Sequence, residues 1–112
     1  MITPTQIKKD IEILFFIDNL ATRYRGTNEC MARYIYFTLC RNFTGASYNT
    51  IGKLVDRDHA TVIVGINKLE NLLKYYNAHA NIFAELENKY KKEINKAPPE
   101  KPTDEINKYF MV

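Results

Sequence analysis

The chain has 112 residues, 46% of them hydrophobic and including eight Tyr and six Phe, which is enough apolar side chain for one packed domain and too much for wholesale disorder. No run of about 18 apolar residues occurs, which excludes a helical membrane span; the Ile11–Ile17 cluster is interrupted or flanked by Asp10, Glu12 and Asp18 and no small-residue cleavage site follows it, so a leader is not expected and the cytoplasm is the expected location. The net charge of +3 is concentrated centrally, with eight basic residues (Arg23, Arg25, Arg33, Arg41, Lys53, Arg57, Lys68, Lys74) against four acidic ones (Glu29, Asp56, Asp58, Glu70) between positions 23 and 75; such an excess fits a polyanionic partner and also fits an ordinary solvated surface.

Thr3-Pro4-Thr5 reads as a helix start, and Ile7, Ile11, Leu14, Phe15 and the stretch Asp18–Leu20 continue the three-and-four spacing, predicting a first helix from about 5 to 21. Arg23-Tyr24-Arg25-Gly26-Thr27-Asn28 breaks it, with Thr27 or Asn28 as the next cap. A second helix, Glu29 to Phe43, follows on Met31, Ile35, Leu39 and Phe43, and Gly45 suits a left-handed stop. Ser47 caps a short third helix, Tyr48 to Val55. After the tight Asp56-Arg57 connection, Asp58 is placed to accept a hydrogen bond from the amide of residue 60 or 61 and to start a fourth helix. Its apolar stripe is Val62, Ile66, Leu69 and Leu73, widened by Ile63 and Leu72. A fifth helix runs from about Ala78 to Asn95, and 96–112 reads as a Pro-rich extended tail with an apolar end, Tyr109–Val112. The domain is therefore expected at 5–95, all-α, a bundle of about five helices.

Cys30 and Cys40 lie ten residues apart on one predicted helix, about 15 Å at 1.5 Å per residue, beyond the reach of a disulfide. With only His59 and His79 besides, no metal-ligand spacing can be assembled, and no cofactor is expected. No nucleophile–base set or paired catalytic carboxylates is visible, so an enzyme is not expected. Tyr34, Tyr36 and Phe37 are better explained as core than as a base-stacking surface.

A helix, a Gly-containing turn, a short helix, a tight turn and a capped helix make the layout of a helix-turn-helix, here at about 47–74. Such a motif sets the first turn of its last helix in the major groove. The stretch Thr44-Gly45-Ala46-Ser47-Tyr48-Asn49-Thr50-Ile51-Gly52-Lys53-Leu54, then Asp56-Arg57-Asp58-His59-Ala60-Thr61-Val62-Ile63 and Lys68-Leu69-Glu70, resembles the C-terminal DNA-binding domain of the bacterial replication initiator DnaA over about residues 23–75. The resemblance implies the same Trp-repressor-like helical fold and a role for specific positions. Asp58, His59 and Thr61 match the family's base- and phosphate-contacting first turn; Ala60 replaces a hydroxyl residue but can press on a thymine methyl. Lys68 matches a basic position near the backbone. Arg23 and Arg25 match the basic run before the second helix, and Arg33 matches an Arg of that helix, with phosphates or the minor groove as their expected targets.

The chain also departs from the family pattern. Met31-Ala32 stand for Arg-Pro, Val55-Asp56 for a Gly-Gly pair and Asn67 for a common Arg, while a phosphate loop and the length of an AAA+ nucleotide-binding domain are missing. The expectation is a sequence-selective binder of double-stranded DNA without an ATPase domain, with Arg57–Lys68 facing bases and Arg23, Arg25, Arg33 and Lys53 facing the backbone. The alternative is a protein-interaction module on the same scaffold, paired with another protein or a second copy of the chain.

Overall fold

A computed structural model of the protein describes residues 1–95; the expected tail at 96–112 lies outside the described residues. Five helices follow in order, α1 (Pro4–Leu14), α2 (Thr27–Phe43), α3 (Tyr48–Lys53), α4 (His59–Leu73) and α5 (Asn77–Asn95), an all-α bundle. No helix among the described residues is long and apolar enough to cross a membrane.

Local chemistry accounts for most of the boundaries. Thr3 accepts the Gln6 amide at 3.1 Å and Pro4 stands in the first turn of α1, where its missing N–H costs nothing. Ser47 accepts the Thr50 amide at 3.2 Å to open α3. Gly45 sits past the end of α2 at φ 72°, a conformation glycine enters without a Cβ penalty. Gly26, not Thr27 or Asn28, occupies the cap position of α2 and offers no side chain to it. Asn28 is used elsewhere: its amide donates to the Phe15 carbonyl at 3.0 Å and its Oδ1 lies 3.1 Å from His79 Nε2.

The first helix is shorter than its apolar spacing predicts, ending at Leu14 instead of about 21. Ile17 N–H bonds the Glu12 carbonyl at 2.9 Å and Phe16 N–H the Ile13 carbonyl at 3.3 Å, the paired bonds of a Schellman stop, with Phe16 in the left-handed position at φ 57°. Ile17 and Leu20 are buried all the same, as anchors of a loop folded back on the core. Glu12 fixes that loop by accepting the Leu20 amide at 2.7 Å. Because Phe16 is 94% exposed, its ring gains little to offset the backbone conformation. Phe16→Gly is therefore expected to raise stability by roughly 1 kcal/mol, read from the urea midpoint at unchanged slope; a lower midpoint would mean the ring has a packing role.

α2 is the spine of the core: Met31, Ala32, Ile35, Tyr36, Phe37, Leu39 and Cys40 are all buried. Burial pushes the Cys40 thiol up to about 12 and drives the Tyr36 phenol well above its ordinary value, so both are neutral packing groups. Tyr36 donates to the Ile51 carbonyl at 2.7 Å, fixing α3 on α2. α4 lies close on the same spine because of Gly65: a Cβ there would come within 2.7 Å of both Tyr34 and Phe37. A mid-helix glycine costs about 1 kcal/mol, and close helix–helix approach is what this one permits. Tyr90 of α5 donates to Asp10 of α1 at 2.6 Å, tying the last helix to the first.

Candidate nucleic-acid interface

α3 and α4 meet at a turn that repeats the Schellman geometry. Arg57 N–H bonds the Gly52 carbonyl at 2.9 Å and Asp56 N–H the Lys53 carbonyl at 3.2 Å, with Asp56 left-handed at φ 57°. One expectation is corrected here: α3 stops at Lys53 and not Val55, because Leu54 and Val55 belong to this stop. The Val55-Asp56 departure from the family's Gly-Gly pair is accommodated in the turn, since Asp is among the few side chains that tolerate the left-handed region, while Val55 is fully buried beneath it.

Asp58 then caps α4 by accepting the Thr61 amide at 2.8 Å. That hydrogen bond holds the Asp58 carboxyl below its ordinary pKa. Ionised Asp58 thus favours the folded state above the unfolded-chain value, and the contribution is lost as pH falls through the lower, folded value. His59, Ala60 and Thr61 are all exposed, as are Asn67 and Lys68. Val62, Gly65 and Leu69 are buried, so the first turn projects outward from a firmly seated helix. Ile63 does not widen the inward stripe as expected; it is 36% exposed, and Val64 beside it is 48% exposed, which adds apolar surface to the outward face.

The basic residues divide into two groups. Arg23, Arg25, Lys53 and Lys68 are exposed. Arg25 and Lys68 line one open depression between α2 and α4, together with Cys30, Tyr34 and Asn71. Arg33 and Arg57 turn inward instead. Arg33 is 5% exposed and donates to the carbonyls of Leu20 at 3.3 Å, Thr22 at 3.1 Å and Tyr24 at 3.2 Å. Arg57, half-buried, donates to Thr22 at 2.8 Å, Val55 at 2.8 Å, Asp56 at 3.2 Å and Ala21 at 3.4 Å. As the side chains stand, the Arg33 guanidinium faces loop carbonyls, where the sequence expectation turned it to phosphates or the minor groove, and most of the Arg57 donors are spent on backbone. Burial lowers the Arg57 pKa, neighbouring Arg33, Arg23 and Arg25 lower it further, and Asp56 opposes them.

Sequence reasoning missed what Asp56 does: its Oδ2 lies 2.6 Å from Arg23, with both side chains largely exposed. No local pattern announces a pair 33 residues apart. The carbonyl partners of Arg33 and Arg57 were equally hidden, because backbone acceptors carry no sequence signature.

The arrangement is an outward first turn with an acidic cap, an imidazole and a hydroxyl, beside four exposed cationic side chains. The family described as bacterial dnaA protein helix-turn-helix matches residues 16–69. Chromosomal replication initiator protein DnaA of Borreliella burgdorferi (strain ATCC 35210) is 42% identical over 62 residues, covering 54% of this chain and 13% of that protein; the Borreliella afzelii (strain PKo) protein of the same name gives the same figures. The Lachnoclostridium phytofermentans protein of that name is 43% identical over 51 residues, covering 45% of this chain and 11% of its own length. The chain thus spans about an eighth of these relatives. No solved structure matches it.

Proposed function

We propose that the chain, whose residues 16–69 match the bacterial dnaA protein helix-turn-helix family, binds double-stranded DNA and reads sequence with the first turn of α4. The supporting observation is the exposure of His59, Ala60 and Thr61 on a turn capped by the exposed carboxylate of Asp58. In a major groove that carboxylate can accept from a cytosine amino group, His59 can bond a base edge, and Ala60 can meet a thymine methyl. Arg23, Arg25, Lys53 and Lys68 neutralise phosphates and fix the register. Arg33 and Arg57 support the interface from behind, holding the 20–24 backbone that carries Arg23 and positions Arg25.

Fluorescence anisotropy against labelled duplexes over a range of salt tests the proposal, with the initiator's A·T-containing box and scrambled boxes as probes. With about three to four phosphates neutralised, log K is expected to fall with log salt at a slope of about −2.7 to −3.6. His59→Ala should cut the preference for the chosen duplex about tenfold, the size of one lost base contact. Arg25→Ala should instead weaken every duplex alike and make the slope shallower by about 0.9. Equal loss of selectivity in both variants contradicts this division.

The exposed Ile13 (70%) and Phe16 (94%) at the end of α1 favour a second reading, a protein-interaction module, since apolar clusters on a surface are commonly covered by a partner. A dimer or hetero-complex by size measurement, with no duplex bound at low salt, would select it.

A further inference from the structure

Among the described residues, Asp56 is the acidic partner of Arg23, an arginine of the cationic rim. Three facts make that more than an incidental surface pair. Asp56 occupies the left-handed position of the α3–α4 turn, where glycine is the least costly residue, so a charged side chain there is not the choice that backbone geometry alone favours. The turn is rigid: the Arg57 amide is bonded to Gly52 and the Arg57 guanidinium to the carbonyls of Val55 and Asp56, which holds the Asp56 backbone in place beside the recognition helix. The pair is also wet, with side chains 74% and 71% exposed at 2.6 Å, so it can open and re-form at little cost.

We propose that Asp56 is a built-in competitor for DNA phosphate: its carboxylate occupies the Arg23 guanidinium in the free protein and must surrender it before Arg23 can reach the duplex. This rests on the DNA-binding reading given above. A phosphate presents to an arginine much the same charge-assisted acceptors as a carboxylate, so the two anions vie for one fork. The consequence is quantitative. One cation of the rim is already neutralised before DNA arrives, so binding displaces a protein carboxylate at that point and releases about one fewer counterion than the rim's charge count predicts. Every duplex is held more weakly, and the salt dependence is shallower, while base reading by α4 is untouched. A chain of this kind binds only where the base contacts are good, because general attraction to the backbone has been trimmed.

The test is Asp56→Asn, which removes the charge but keeps a residue that tolerates the left-handed backbone; circular dichroism and a urea melt confirm that it folds. Salt titrations of the full chain by anisotropy, on the initiator's box and on a scrambled duplex, should show about two- to fivefold tighter binding of both duplexes at about 0.1 M salt and a slope steeper by about 0.9, with the ratio between the duplexes unchanged. In an Arg23→Ala background the gain from Asp56→Asn should shrink to less than half. Wild-type binding that Asp56→Asn leaves unaltered in affinity and slope overturns this inference and spares the DNA-binding reading. A gain that persists undiminished without Arg23 also overturns it, because plain repulsion between Asp56 and phosphate would then be the cause. No binding of either duplex by either protein at low salt overturns both.

Discussion

Gly52→Ala is expected to lower stability by about 2–3 kcal/mol, as overpacking of a well-filled site does, and with it to abolish duplex binding near the melting temperature. A Cβ at position 52 would run into the backbone carbonyl of Arg57 and lie 3.1 Å from Val62 Cγ2. A flexible side chain could swing aside, but this carbonyl cannot: the Arg57 amide is bonded to the Gly52 carbonyl at 2.9 Å, and the next residue caps α4. Relief requires α3 and the start of α4 to separate, which moves Asp58 and His59 together. The measurement is the urea midpoint and slope, with anisotropy repeated at a temperature where the variant is folded. A stability change below about 0.5 kcal/mol, the scale of an ordinary surface substitution, would show that the turn yields more easily than its hydrogen bonds imply.

Arg33→Ala is expected to be of similar size, about 3 kcal/mol, and for the opposite reason: it removes a donor rather than adding an atom. The Leu20 and Tyr24 carbonyls, at 3.3 and 3.2 Å, lose their guanidinium partner, while that of Thr22 keeps Arg57 at 2.8 Å; each buried polar group left without a bond costs about 1–3 kcal/mol. Arg33→Lys should recover only part of the loss, since one ammonium on a flexible stem cannot reproduce a planar fork. The salt slope of DNA binding separates this role from phosphate contact. Measured at a temperature where the variant is folded, the slope should be unchanged in Arg33→Ala, which removes the charge. A variant that melts like the wild type but binds every duplex with a slope shallower by about 0.9 would return Arg33 to the DNA face.

What could be read in the sequence was what is local. Thr3, Ser47 and Asp58 announce helix starts because each acceptor meets an amide only three residues ahead, and Gly45 announces a stop because left-handed backbone favours glycine. Two stops were illegible for the same physical reason inverted. Phe16 and Asp56 adopt that backbone without being glycine, so the apolar spacing ran on past Leu14 and the third helix ran on to Val55. The exposed residues of the first turn of α4 followed from the cap, whereas the functions of Arg33 and Arg57 depended on loop carbonyls 9–36 residues away. A charge in a sequence shows that a cation is present. Which way it turns is decided by packing, as the fully enclosed Tyr36, Phe37 and Leu39 on the helix that carries Arg33 illustrate.

The carbonyl of Thr22 accepts from both inward arginines, at 3.1 Å from Arg33 and 2.8 Å from Arg57. One oxygen thereby rivets the arm that bears Arg23 and Arg25 to the socket from which α4 emerges. The two points proposed to meet a duplex then behave like the jaws of a locked calliper. Adding or deleting a base pair between the positions they would touch should not be absorbed by the protein, and the strain should fall on the DNA, at a cost set by how readily the intervening steps bend or twist.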